Sequence, residues 1–418
     1  MPRAELLREY EYVKANYEEL LRKGLSLDMS RGKPGADQLD LSVGTFDLIN
    51  EESGYKTRDG IDCRNYGGVD GIPEIKELFA EIFKVSANKV IASGSASLNL
   101  MFDVIAQGIT HGFGDKPWMM QGKIKFLCPV PGYDRHFGIC EYFGIEMINV
   151  PMTENGPDMN IIEELIKDSS VKGMWCVPKY SNPDGIVYSD ETVKRLAKMR
   201  PAAKDFRIMW DNAYAVHPIF GECQELLNIL DECEKAGDPD KVIMFTSTSK
   251  ITFPGAGIAA LAASDNNIAA IKGRMSVQTI GPDKLNQLRH ARMLPDLNAV
   301  TEHMKRHAAI MAPKFEAVLE GLESSLGGLG IARWTKPQGG YFISMYVEKG
   351  CAKEIVNKCR EAGLILTGAG ATYPYGKDPD DSNIRIAPSF PNPQELQAAT
   401  ELLCTVTRLV CLEKLINR

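Results

Sequence analysis

A lysine stands at the end of an apolar run, among small hydroxyl residues. Lys250 closes "FTSTSK" (Phe245–Lys250), and "KVIMF" (Lys241–Phe245) before it has the character of a buried strand. Residues just past a strand end are where α/β sheets carry their sites, and a lysine amine there is suited to a Schiff base with a carbonyl cofactor. A solvated turn lysine is the competing reading. Asp211 ends another apolar run, "RIMWD" (Arg207–Asp211), and Tyr214 follows three residues later. A carboxylate in that position is costly unless it is paired. Asn182-Pro183 forms a turn after "GMWCV" (Gly173–Val177), as a plain loop or as an amide aimed at a polar ligand. Tyr133, in "CPVPGYDRHF" (Cys128–Phe137), either packs on a helix or stacks on a flat ring. Ser95, Ala96 and Ser97 form a Gly/Ser turn before a helix. There the serines cap the helix, or they join its free N–H groups in an anion site.

Each of these groups follows a different strand of one expected sheet, and together they supply what pyridoxal phosphate (PLP) needs. The Ser95–Ser97 turn and the helix N-terminus suit the phosphate, and Tyr133 covers the ring face. Asn182 and Tyr214 suit the ring oxygen, Asp211 the pyridine nitrogen, and Lys250 the aldehyde.

The elements that must hold these residues are legible as alternation. Strands are expected at 89–93, 124–128, 146–150, 173–177, 207–211, 241–245 and 258–263, with helices between them. One helix starts at Asp158 and another at Ser189, each with a capping residue. This is an α/β pattern: a mostly parallel seven-stranded sheet with helices on both faces. Residues 25–42 read as an extended arm, and 281–311 as one or two long helices leading away from the sheet. Beyond them lie the helix "APKFEAVLEGLESSL", the strands "GGYFISMYV", "LILTG" and "NIRIAP", and a closing helix. The expected division is a large cofactor-binding domain at 45–300 and a small domain formed by 1–44 with 301–418.

Bulk composition removes other classes. A formal net charge of −7 gives no electrostatic case for nucleic acid, and no apolar run approaches the length of a membrane span. The first residues form a charged helical pattern, unlike a signal peptide. Ten cysteines include no C-x-x-C pair, which suits free thiols in a reducing, cytoplasmic compartment and offers no metal site.

From "NYGGVDGIPEIKELFAEIF" (Asn65–Phe83) to "NIRIAPSFP" (Asn383–Pro391) the chain resembles the fold-type I, class I PLP-dependent aminotransferases. Asp211 lies 29 residues after Asn182 and 39 before Lys250, and N-P, D-x-x-Y and S-x-S-K occur in the family's order. "SRGKP", "YGGVDG" and "TSTSKIT" are most similar to a divergent bacterial subgroup of aspartate aminotransferases, subgroup Ic. The resemblance implies that Ser95, Ala96, Ser97 and Ser247 bind the phosphate. It implies that Arg385 grips the substrate α-carboxylate, a role suited to a guanidinium fork, with Gly32 and Asn182 near the substrate. It also implies that Tyr66, in Y-x-x-x-x-G, reaches the partner subunit's cofactor in a homodimer. The reaction implied is amino transfer between an amino acid, L-aspartate, and a 2-oxo acid, 2-oxoglutarate, by a ping-pong mechanism.

Two departures stand out. The family's phosphate-supporting arginine after S-K is absent, with Ile258, Ala259 and Ala260 in that region. No motif gives the arginine for a side-chain carboxylate, and Arg31, Lys33, Arg289 and Arg292 are unranked candidates. Three rivals compete. "GAGIAA" (Gly255–Ala260) fits a dinucleotide fingerprint, but a strand pattern follows where that motif needs a helix. A PLP-dependent lyase of the same fold would share these residues. A non-catalytic PLP- or amino-acid-binding regulator would use the same scaffold.

Overall fold

The computed structural model describes residues 3–417. Its strands, in chain order, are β1 (Leu27–Asp28), β2 (Val90–Ala92), β3 (Lys125–Val130), β4 (Glu146–Thr153), β5 (Gly156–Pro157), β6 (Val171–Cys176) and β7 (Arg207–Asp211). They continue as β8 (Val242–Ser247), β9 (Ala259–Ala263), β10 (Ala332–Trp334), β11 (Ile343–Val347), β12 (Leu364–Ile365) and β13 (Asn383–Ile386).

The main sheet has the order β2-β9-β8-β7-β6-β3-β4-β5. Strands β8, β7, β6, β3 and β4 are parallel, whereas β9 and the edge strand β5 run against their neighbours. All seven expected strands are present. The sheet nevertheless has eight, because the chain turns tightly at Glu154-Asn155 and pairs Gly156–Pro157 back on Met152–Thr153.

Strands covered on both faces need apolar residues at every position, which is why their sequences read as continuous runs. Alternate side chains feed opposite layers. Ile208, Trp210, Val242 and Met244 enter one hydrophobic cluster, while Met209, Ile243 and Phe245 enter another. With both faces filled, polar side chains collect at the strands' C-terminal edge.

A third cluster surrounds the antiparallel sheet β10-β11-β13. The first helix (Arg3–Arg22) and the last (Pro393–Ile416) pack there, through residues such as Val13, Leu20, Leu403 and Val410. Here the structure differs from the reading of the sequence. Helix Lys284–Met293 is followed by one 30-residue helix, Leu297–Leu326, that absorbs the separately expected "APKFEAVLEGLESSL". Pro313 lies inside it and removes one backbone donor. The buried stripe Met304, Met311, Phe315, Val318 and Leu322 holds the helix together across it. Residues 300 and 301 both lie within this helix, so the expected division falls on no linker.

The arm is not wholly extended. Leu27–Asp28 pairs in parallel with Leu364–Ile365, the only part of "LILTG" that forms a strand, and Ala36–Asp40 is a short helix. The expected caps are present: Asp158 accepts from the backbone N–H groups of Asn160 and Ile161, and Ser189 from that of Thr192.

Candidate active site

The C-terminal edge of the main sheet opens into a cavity of 320 Å³. Of the twelve residues given a role in the sequence, ten line it: Gly32, Ala96, Ser97, Tyr133, Asn182, Asp211, Tyr214, Ser247, Lys250 and Arg385. Two do not. Ser95 faces a neighbouring cavity and offers its carbonyl to the Ser249 hydroxyl at 3.4 Å. Tyr66 is 82% exposed, and its carbonyl accepts from Lys284 Nζ at 2.9 Å.

The end of the cavity where the sequence leads one to expect an anion is built largely from backbone. Helix Ser97–Thr110 has Ala96 as its N-cap, without a side-chain acceptor, in place of the expected serine cap. Its first N–H groups are therefore left for another partner. Ser247 Oγ lies 3.0 Å from Ser249 Oγ beside this turn. The loop carrying Lys250 is pinned by Thr248, whose N–H donates to Ile258 O and whose hydroxyl accepts from Ile258 N–H, both at 2.9 Å. A Cβ on Gly257 would stand 3.0 Å from Ser95 O, so the glycine of "GAG" lets two site loops approach. A strand, β9, follows it, as the sequence indicated against the dinucleotide reading.

Asp211 is 2% exposed. Its Oδ2 accepts from His136 Nε2 at 3.0 Å, and its Oδ1 has no hydrogen-bond partner among the described residues. A buried carboxylate oxygen without a donor is costly. The protonated nitrogen of a pyridine ring would satisfy it, so the residues fit PLP on this observation. His136 is itself held by stacking on Trp175, with centroids 4.2 Å apart, and by an edge contact to Tyr133. His136→Phe keeps the ring stacking and removes one hydrogen bond to a charged group, a loss of about 1.5–3 kcal/mol. We expect kcat to fall by about tenfold to a hundredfold while thermal stability changes little, as steady-state kinetics and calorimetry would read.

Lys250 Nζ sits 5.0 Å from the Tyr214 ring centroid and 5.8 Å from that of Tyr341, and forms no salt bridge among the described residues. Burial pushes its amine below the usual lysine range, the Asp211 charge opposes that shift, and Arg385 adds to it. Burial also raises the Tyr214 hydroxyl well above its ordinary value and the Tyr133 hydroxyl to about 12. Both phenols therefore carry a proton to donate near neutral pH.

Arg385, on β13, is 6% exposed. Its Nη1 donates to Asp134 Oδ1 at 3.1 Å and to Asn182 Oδ1 at 3.2 Å, and its Nη2 to Thr367 Oγ1 at 3.2 Å. The guanidinium stacks over Phe342, 4.8 Å from the ring centroid, and its Nε is buried without a partner among the described residues. A Cβ at Gly32 would come within 2.6 Å of the same ring, so glycine is what lets the arm close that wall. Gln38 ties the arm down, donating through Nε2 to Tyr341 OH at 2.9 Å and to His307 Nδ1 at 3.1 Å.

Sequence reading missed His136, Asp134, Thr367, Tyr341 and Arg135. His136 and Arg135 stood in the quoted "GYDRHF", but nothing local marked either as facing the cavity. The structure also sorts the unranked cations. Arg31 and Lys33 line the cavity, as does Arg135. Arg292 bonds the Leu48 carbonyl, and Arg289 bonds Asn286 beside Phe46; neither lines it.

Comparison with known proteins finds relatives along the whole chain. A profile of the family described as aspartate amino-transferase matches residues 2–418. An aspartate aminotransferase of Corynebacterium glutamicum is 46% identical over 410 residues, covering 98% of this chain and 95% of that one. The crystal structure of an aspartate transaminase from the same organism superposes with a TM-score of 0.97 at 45% identity, covering 99% of this chain and 98% of that one. A Thermus thermophilus alpha-aminoadipate aminotransferase, complexed with N-(5'-phosphopyridoxyl)-L-leucine, shares the fold at a TM-score of 0.75 and 20% identity, covering 98% of each chain. The match along the whole chain and the close relatives lead to one conclusion: this chain belongs to the aspartate amino-transferase family, and it is an aminotransferase of the fold-type I class.

Proposed function

We propose that the chain holds PLP on Lys250 and transfers an amino group from L-aspartate to 2-oxoglutarate. The observation that carries this reading is the unpartnered Asp211 Oδ1, in the wall of the cavity that Lys250 and Arg385 also line. When bound, PLP supplies an aldehyde for amine exchange and a protonated ring that withdraws electrons from a carbanion. Asp211 Oδ1 holds the proton on the ring nitrogen, with His136 fixing the carboxylate from its other oxygen. Tyr133 excludes water from one ring face. Ala96, Ser97 and Ser247 hold the phosphate at the helix N-terminus, and Tyr214 and Asn182 direct polar groups to the ring oxygen. Arg385 binds the α-carboxylate, which fixes Cα within reach of Lys250. The Lys250 amine, neutral over a wider pH range because burial lowers its affinity for a proton, takes the proton from Cα.

The dicarboxylate preference rests on Arg31 and Arg135. Both are exposed at the cavity and form no salt bridge among the described residues. Replacing each with leucine separates substrate anchoring from phosphate support. For at least one variant, KM for aspartate should rise by about tenfold or more, as loss of an ion pair at a partly exposed site would give, with KM for alanine unchanged. If both variants instead lose PLP and treat the two substrates alike, these cations serve the phosphate. Ammonia and pyruvate formed without a 2-oxo acid acceptor would identify a lyase instead.

The reading extends to the division into units and to assembly. A large unit at 45–300 and a small one of 1–44 with 301–418 are supported by separate hydrophobic clusters about the two sheets. A reducing, cytoplasmic setting is supported by ten free cysteines, nine of them buried. A homodimer with shared sites is supported by Tyr66, whose ring lies exposed outside its own chain's cavity. Tyr66→Phe should weaken PLP retention by about 1 kcal/mol, the worth of one hydrogen bond. Mixing a Tyr66→Ala chain with a Lys250→Ala chain gives a heterodimer in which one site carries both lesions and the other neither. Activity should partly return; no recovery despite measured subunit exchange would remove Tyr66 from the partner's site.

A further inference from the structure

A second cavity, of 460 Å³, lies beside β7 and apart from the one just described. Its walls combine apolar residues such as Trp210, Met244 and Met304 with polar and charged ones, among them Lys179, Asn212 and Cys223. Lys179 is 7% exposed, and its Nζ donates to Ala215 O at 2.9 Å and lies 3.1 Å from Cys223 Sγ. It forms no salt bridge among the described residues, and the nearby carboxylate of Glu225 is engaged by Lys84. Cys223 is the exposed member of the ten cysteines. Asn212, 7% exposed, has an Oδ1 buried without a hydrogen-bond partner among the described residues. The cavity therefore sets a thiol against a buried amine, and Asn212, with its unused acceptor, is another of its lining residues.

We propose that Cys223 and Lys179 form a peroxide-responsive modification site whose product is a covalent S–N bond between the two side chains. Hydrogen peroxide, admitted through the cavity, is the oxidant. The Cys223 thiolate attacks one peroxide oxygen and the O–O bond breaks. Sulfur is oxidised by two electrons to the sulfenic acid, and the departing hydroxide takes a proton from the Lys179 ammonium to become water. The freed amine then attacks sulfur, the S–O bond breaks, and the hydroxyl leaves with a nitrogen proton as a second water. In sum, thiolate, ammonium and peroxide give S–NH and two waters, the same condensation that forms sulfenamides elsewhere. At 3.1 Å the two atoms are already in contact, so closure needs little movement.

The link bears on the first site through the backbone. Lys179 precedes Asn182 in one loop, and its bond to Ala215 O reaches the turn that carries Tyr214. Removing its charge and two of its donors disturbs that tie.

The test is peptide mapping of the full-length protein after peroxide treatment, with thiols blocked and no reductant added. We expect a linked peptide pair joining Lys179 and Cys223, lighter than the sum of its parts by two hydrogens and released by dithiothreitol. The pair should be missing from Lys179→Arg and from Cys223→Ser, the latter a surface change that leaves the fold intact. Activity lost on treatment should return with dithiothreitol, and the Cys223→Ser protein should resist the loss. Recovery of Cys223 as free thiol, or as sulfinic acid with no link to Lys179, would overturn the proposal whatever reaction the enzyme catalyses.

Discussion

Lys250→Ala protein is expected to lose turnover by about three to four orders of magnitude, the scale of removing both a covalent attachment point and a positioned base. The fold should survive, because Lys250 is partly exposed at the cavity and forms no salt bridge among the described residues. Lys250→Arg sharpens the point. Arginine keeps the positive charge and the length, but its guanidinium stays protonated and cannot serve as a neutral amine. If charge at this position were what mattered, Lys250→Arg would retain much of the activity. We expect it to be as inactive as the alanine variant. Single-turnover measurements with purified protein would decide, together with a melting curve to show that both variants are folded.

Arg385→Leu should be nearly as severe. Arg385 is buried, and Asp134, Asn182 and Thr367 hold its two Nη atoms in place. Truncating a buried, hydrogen-bonded charge costs about 2–5 kcal/mol, or about 30-fold to 4,000-fold in kcat/KM. The loss should fall on every amino acid alike, since all have an α-carboxylate. A loss confined to dicarboxylic substrates would assign Arg385 to the side chain. A second readout is the pH profile. Arg385 helps to hold the Lys250 amine below its usual range. Removing that cation lets the amine bind its proton more tightly, so a rate that depends on the neutral amine should rise at higher pH than in the wild type.

Much of this site could be read from the sequence because its members sit at strand ends. A strand buried on both faces announces itself as an apolar run, and the polar residues in the turn beyond it mark the edge where ligands bind. Asp211, Asn182 and Lys250 were found that way. Caps were legible for a related reason: Asp158 and Ser189 act on backbone two or three residues away.

What stayed hidden depends on distant chain. His136 meets Asp211 across 75 residues, Asp134 meets Arg385 across 251, and Gln38 meets Tyr341 across 303. Only the sheet order and the docking of the arm bring these pairs together. The long helix through Pro313 was missed because proline reads as a stop, and a buried stripe on one face outweighed it. The serine expected to cap helix Ser97–Thr110 was a local rule misapplied. An N-cap without a side-chain acceptor leaves the helix N–H groups free for an anion, and Ala96 occupies that position.

The central claim is that Lys250 carries PLP, and one measurement meets it directly. Purified full-length protein is incubated with PLP, its visible absorbance recorded, and sodium borohydride added before digestion and mass spectrometry. The account predicts a visible band that borohydride abolishes and a phosphopyridoxyl group fixed to the peptide containing Lys250, with none on the corresponding peptide of Lys250→Ala. A phosphopyridoxyl group on another lysine, or an unmodified Lys250 in protein that still transaminates, would contradict it.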